Sequence, residues 1–180
     1  VILIRESSYT GNGSCRYRLH VGSFPRPIAV YPAGGQKGTD LKVNLIGDPM
    51  GESELTVKLP DSGISEHKIF SQSDDLLSPS PNKLRVSNYP NAMEVEPNDN
   101  RAQSTMVKTP LPVALNGIIN KDGDHDWFKF TAKKGHRFIL RAHAKSISSP
   151  LDPVVNLFGP DNKQITANDD ADNKQDSKID

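Results

Sequence analysis

Two segments, Glu94-Val-Glu-Pro-Asn-Asp-Asn100 and Asp122-Gly-Asp-His-Asp-Trp-Phe128, concentrate carboxylates and carboxamides. Such groups are hard oxygen donors, and a calcium ion gathers roughly six to eight oxygens from turns of this kind. The chemistry they support is cation binding rather than bond breaking. Glu94 and Glu96 share one side of an extended segment, because side chains repeat every second residue, and Pro97 stiffens the path from Glu96 to Asn98. The same residues have a second reading. Asp and Asn bond backbone N–H groups at turns and helix starts, and Asn98-Asp-Asn100 ahead of Arg101-Ala-Gln-Ser-Thr105 would do so with no ion present. Asp122, Asp124 and Asp126 also match the opening of an EF-hand loop, but Trp127 stands where that loop needs glycine and Lys133 where it needs a bidentate glutamate. The EF-hand is excluded. A further acidic run, Asn168-Asp-Asp-Ala-Asp172 with Asp176, has the donors for another ion, but Lys174 and Lys178 partly neutralise it and the favoured reading is a solvated turn.

Nothing in the chain spells out an enzyme. There is no GxSxG elbow, HExxH helix, P-loop or GxGxxG turn. The histidines stand singly, and only His125, between Asp124 and Asp126, has an acid/base neighbourhood, with no nucleophile assignable to it. Asp152, between Leu151 and Pro153, reads as a turn residue at a strand entrance. Lys plus Arg and Asp plus Glu number 22 each, so no net field favours nucleic acid or an anionic membrane. No apolar run approaches the roughly 20 residues of a membrane span. Cys15 is the only cysteine, which excludes an intrachain disulfide and a cysteine-based zinc site.

The elements that must position the acidic segments are strands. The hydrophobic fraction is 34%, so thin cores and long polar turns are expected. Val1 to Glu6 and Arg16 to Val21 read as a hairpin, the second run alternating Tyr17, Leu19 and Val21 with Arg16, Arg18 and His20. After the stiff Pro25-Arg-Pro27 joint, strands are predicted at Ile28 to Tyr31, Asp40 to Ile46, Leu55 to Lys58, Glu66 to Phe70 and Asn82 to Val86, separated by Gly and Pro turns such as Pro32-Ala-Gly-Gly35. That spacing predicts an immunoglobulin-like sandwich. Beyond Asn91 come a helical turn within Arg101 to Val107 and strands at Val113 to Ile119, Asp126 to Thr131, His136 to Ala144, Pro153 to Phe158 and Gln164 to Ala167. Alternation sends Phe128 and Phe130 to one face and Trp127 to the other, where it is either core or part of a binding face.

The ordered words Glu96-Pro-Asn-Asp99, Leu115-Asn-Gly-Ile118, Gly123-Asp-His-Asp-Trp-Phe-Lys-Phe130, Lys134-Gly135, Leu151-Asp-Pro-Val154, Leu157-Phe158 and Asn168-Asp-Asp170 resemble the bacterial pre-peptidase C-terminal (PPC) domain. The resemblance spans Glu94 to Asp180 and implies a jelly-roll β-sandwich following the immunoglobulin-like one, which itself resembles the TIG type. It implies a non-catalytic accessory module of a secreted or cell-surface bacterial protein, often peptidase-associated. The implied partners are other domains of the same chain, or, as an alternative adhesive role, extracellular protein or polysaccharide. Calcium is the implied cofactor, with Glu94, Glu96, Asn98, Asp99, Asp124 and Asp126 as its ligands and Asp122 as a weaker one.

The family pattern continues beyond Asp176-Ser-Lys-Ile-Asp180 into two further strands, and Tyr17-Arg-Leu-His-Val21 resembles their ending. The expected organisation is thus 1–24 closing an earlier copy, 25–90 as the TIG-like module and 91–180 as a copy lacking its last strands, cut from a longer protein. A bolder expectation is that residues 1–24 fill the vacant strand positions of residues 91–180 within this chain.

Overall fold

A computed structural model describes residues 1–171 and 176–180, so Asp172 and Lys174 of the further acidic run lie outside the described residues. Among the described residues the fold is all-β apart from two short 3₁₀ turns, Arg101–Gln103 and Lys145–Ile147. No helix among the described residues is long and apolar enough to cross a membrane.

The first half is a two-sheet sandwich. Strands β1 (Ala29–Tyr31), β3 (Asp40–Ile46) and β4 (Ser53–Lys58) form one antiparallel sheet in the order β1-β3-β4. Strands β2 (Gly34–Gln36), β5 (Glu66–Ile69) and β8 (Asn82–Ser87) form the other, in the order β2-β8-β5, and β6 (Gln72–Ser73) and β7 (Leu76–Leu77) make a small outlying hairpin. Inward residues of both sheets, Val43, Leu45, Val57, Leu59, Ile69, Leu84 and Val86, make one buried cluster. Alternation alone predicts this: in β3 Val43 and Leu45 are buried while Asp40, Lys42 and Asn44 are exposed.

The Pro32-Ala-Gly-Gly35 stretch, read above as a turn, is where the chain changes sheets. Tyr31 pairs with Asn44 in the first sheet, whereas Gly34, Gly35 and Gln36 run parallel to Arg85, Val86 and Ser87 in the second. Proline has no N–H to give the first ladder, and glycine permits the close approach that the second demands. A Cβ on Gly34 would lie only 2.0 Å from the Arg85 carbonyl oxygen.

Among the described residues the second half is built from four two-stranded ladders. The pair β9 (Asn91–Met93) and β11 (Ala114–Asn116) is parallel, as is β10 (Thr105–Met106) with β12 (Phe128–Lys129). Antiparallel pairs join β13 (Leu140–Arg141) to β16 (Lys178–Ile179) and β14 (Val155–Phe158) to β15 (Gln164–Asn168). Its apolar interior is small. The buried hydrophobic residues here are Ala144 and Ile179, while Asn98, Thr105, Asn116, Asp124 and Ser177 are buried polar ones. Polar connections substitute for packing: Asp176 accepts the N–H groups of Ala144 and Lys145 at 2.9 and 2.8 Å and of Ser146 at 3.1 Å, tying the second 3₁₀ turn to the end of the chain.

The N-terminal expectations need correction. Among the described residues 1–24 contain no strand, so the Val1–Glu6 and Arg16–Val21 hairpin is not formed. Backbone bonds there are local, such as Tyr9 N to Glu6 O and Cys15 N to Asn12 O. Tyr17, Leu19 and Val21 remain 72%, 50% and 72% exposed and pair with no strand of residues 126–140, which overturns complementation of the second half by this segment. The reason is physical: a lone hairpin with a long polar turn buries too little surface to offset chain ordering.

The sheet change makes a direct prediction. Gly34→Ala should lower the stability in urea unfolding by about 1–3 kcal/mol, because the new methyl group meets backbone that cannot yield; an unchanged midpoint would contradict the close approach.

Candidate metal centre

The acidic segments converge. Strand β9 ends at Met93, and its parallel pairing with β11 places Glu94 beside the Gly117–Ile118 backbone: Glu94 N donates to Asn116 O at 2.9 Å, and Ile118 N donates to Glu94 Oε1 at 2.8 Å. Strand β12 brings the second segment alongside, with Trp127 N donating to Asn98 O at 3.1 Å and Thr105 N to Trp127 O at 2.7 Å. Glu94, Glu96 and Asp126 each offer a carboxylate oxygen within 4.8 Å of the others. Asp124 and Asp99 also meet through their side chains.

Glu94, Asn98, Asp99 and Asp124 are each anchored at one atom and left free at another. Asp124 Oδ2 accepts the Asn120 amide at 2.7 Å. Asn98 Nδ2 donates to Thr105 Oγ1 at 3.4 Å, and Lys121 lies 3.6 Å from Asp99 Oδ2. The remaining atoms, Glu94 Oε2, Asn98 Oδ1, Asp99 Oδ1, Asp124 Oδ1 and Asp126 Oδ1, are buried without a hydrogen-bond partner. Buried polar atoms normally find partners. Asn98 is wholly buried and Asp124 only 7% exposed, so solvent does not relieve them. Glu96 completes the set, its Oε2 accepting from Asn98 N at 2.9 Å and its Oε1 from Asn120 Nδ2 at 3.4 Å.

The capping reading is realised by Asn100, the last residue of the Asn98-Asp-Asn100 run. Asn100 caps the first 3₁₀ turn, accepting from Ala102 N at 3.0 Å and Gln103 N at 3.3 Å. That leaves Asn98 and Asp99 out of the cap. Asp122 is exposed, as is His125, and Trp127 stacks on Phe158 with centroids 5.1 Å apart, so its ring is packed rather than presented.

The electrostatics follow from five carboxylates with Lys121 beside them. Burial and then the Asp126 charge push Glu94 up to about 7. Asp126 is raised by burial and further by Asp124, Glu96 and Asp99, which outweigh its bond with Glu94. Asp124 is lowered, chiefly by the Asn120 amide it accepts. Tyr31 of the first sandwich lies in the same field: burial and then Glu94 and Asp126 push its phenol up to about 12. An oxygen-only donor set carrying this much negative charge fits a hard divalent cation.

Asn120, Thr105, Asn116 and Gly117 contribute without a site role assigned to them from the sequence. Gly117 is required by space, since a Cβ there would meet Asp126 Oδ2 at 2.2 Å and Glu94 Oε2 at 2.7 Å. Its sequence signal is the Leu115-Asn-Gly-Ile118 word, which periodicity alone leaves without a role. Elsewhere Ser146 Oγ lies 3.3 Å from His143 Nδ1, but Asp176 bonds the serine hydroxyl and the 144–146 amides rather than orienting the imidazole, so the trio is a turn cap.

Fold and cluster together define an all-β protein with an oxygen-lined acidic centre at the junction of its two halves. Over 85 residues, 47% of its length, the chain is 36% identical to a Deinococcus radiodurans protein named as a probable subtilase-type serine protease. The matched stretch is 12% of that relative, so the chain spans about an eighth of it. No family model matches the chain. No solved structure matches it either.

The raised carboxyl of Glu94 gives a pH dependence with a definite sign. Its folded value of about 7 exceeds its ordinary 4.5, so the stability it contributes is fully present below about 4.5 and lost as pH rises through about 7. In chelator, the melting temperature should therefore fall between about pH 5 and about pH 8, and Glu94→Gln should flatten that slope. A chelated wild type that gains stability across the interval would contradict the assignment.

Proposed function

We propose that this chain is a non-catalytic accessory region, of the PPC type, belonging to a secreted or cell-surface bacterial protein, and that its second half is held together by calcium. The observation that carries the reading is the set of five buried, unpartnered oxygens on Glu94, Asn98, Asp99, Asp124 and Asp126. With Glu96 they supply six donors, the lower bound of a calcium shell, and bidentate contact raises the number further. The identity to part of a protein named for a subtilase-type protease supports an accessory place beside a larger catalytic chain.

The mechanism is structural. The second half buries few apolar side chains and many polar ones, so neutralising its carboxylates replaces repulsion by a bond network joining the Glu94–Asp99 segment to the Asp124–Asp126 turn. Ions that bind only the folded state stabilise it by about 2.7 kcal/mol at a hundredfold excess over the dissociation constant.

Calcium at that excess should raise the melting temperature by roughly 5–10 °C relative to chelator, given about 2–4 °C per kcal/mol for a chain of this size. Asp124→Asn retains an oxygen for the Asn120 amide but removes a charge, and should lose most of the shift while staying folded. A wild type unmoved by calcium, or an Asp124→Asn variant that keeps the whole shift, would sink the proposal.

A further inference from the structure

We propose that Asn116 is a positioning residue that couples cation occupancy of the acidic centre to the grip of the second half on the sheet-changing bend of the first, with Tyr31 as its partner. The inference rests on the calcium reading above and extends it to regulation of the joint.

Asn116 faces both ways. Its carbonyl oxygen accepts the Glu94 N–H at 2.9 Å, on the side of the acidic centre. The same oxygen accepts the Tyr31 hydroxyl at 3.5 Å, and its side-chain Oδ1 accepts the Ala33 N–H at 3.2 Å, both from the first sandwich. Tyr31 and Ala33 flank Pro32, where the chain passes from one sheet to the other. Asn116 is only 8% exposed, so water does not compete well for these bonds. A second tie, Asn91 Nδ2 to Gly34 O at 2.8 Å, lies at the other end of the β9–β11 pair.

The wall of the acidic centre is the continuation of the same strand. Gly117 follows Asn116 directly, with the Asp126 and Glu94 carboxylates pressed against its open Cα, and Ile118 N holds Glu94 Oε1. With no cation, repulsion between Glu94 and Asp126 bears on this wall and on the short β9–β11 ladder that carries Asn116. With a cation, both carboxylates are drawn inward, the ladder is fixed and Asn116 is held against Tyr31 and Ala33. Linkage makes the effect reciprocal: whatever calcium does for the joint, the joint does for calcium affinity.

The test combines calorimetric titration of the full chain with calcium and amide hydrogen exchange resolved at Ala33 and Ile118, with and without calcium. Calcium is expected to slow exchange at both sites. Asn116→Ala, which removes no carboxylate, should weaken calcium binding about fivefold or more, the lower end of ordinary coupling. Tyr31→Phe, which keeps the ring and loses only the hydroxyl, should weaken it in the same direction by less. Calcium that binds and protects Ile118 while leaving Ala33 unchanged, with Tyr31→Phe binding as wild type, overturns the coupling and leaves the site standing. Failure of the wild type to bind calcium at all overturns the site and the coupling together. Should Asn116→Ala not fold, the wild-type exchange and Tyr31→Phe decide the matter.

Discussion

Uncompensated negative charge is the constraint on which the second half of this protein turns. Five carboxylates meet there with Lys121 as their nearby cation, and one oxygen on each of four of them is buried with no donor. Two like charges at close range in a partly desolvated site repel by several kcal/mol at an effective dielectric of about 20. The surroundings answer in the ways open to a protein. Glu94 and Asp126 become weaker acids, amides of Ile118 and Asn120 turn toward the nearest oxygens, and the remaining oxygens stay unpaired.

The contrast between the halves follows from the same constraint. The first sandwich closes around Val43, Leu45, Leu59 and Leu84, each at most 3% exposed, with Ser71 and Ser78 as its buried polar residues. The second has two-stranded ladders, a stacked Trp127–Phe158 pair and buried Asn98, Thr105 and Ser177. A domain that buries polar atoms must satisfy each of them to be stable. Placing the cluster at the junction gives the weaker half its anchor next to the stronger one, through Asn116 and Asn91.

Much of the first sandwich was legible in the sequence because alternation reports burial on one face. Asp40 to Ile46 matches the observed strand end to end, and the other predicted strands of that half lie within two residues of theirs. The bend at Pro32-Ala-Gly-Gly35 was not, since the same glycines serve a turn or a strand in close contact, and only the Arg85 carbonyl beside Gly34 tells them apart. The N-terminal alternation misled for the opposite reason. Tyr17, Leu19 and Val21 have the period of a strand, yet period without a facing surface buries nothing.

The chain by itself determined which side chains have the chemistry for a cation: the oxygen donors of Glu94 to Asp99 and Asp124 to Asp126 are a matter of residue type and spacing, as is the exclusion of an EF-hand by Trp127 and Lys133. Which oxygens are free was decided only by the tertiary structure. Asn100 takes the cap while Asn98 is enclosed, Gly117 opens room for two carboxylates, and Asn116 joins the centre to Tyr31 and Ala33. Composition records donors and acceptors, but whether an acceptor has lost its water and found no partner depends on atoms brought together from distant parts of the chain.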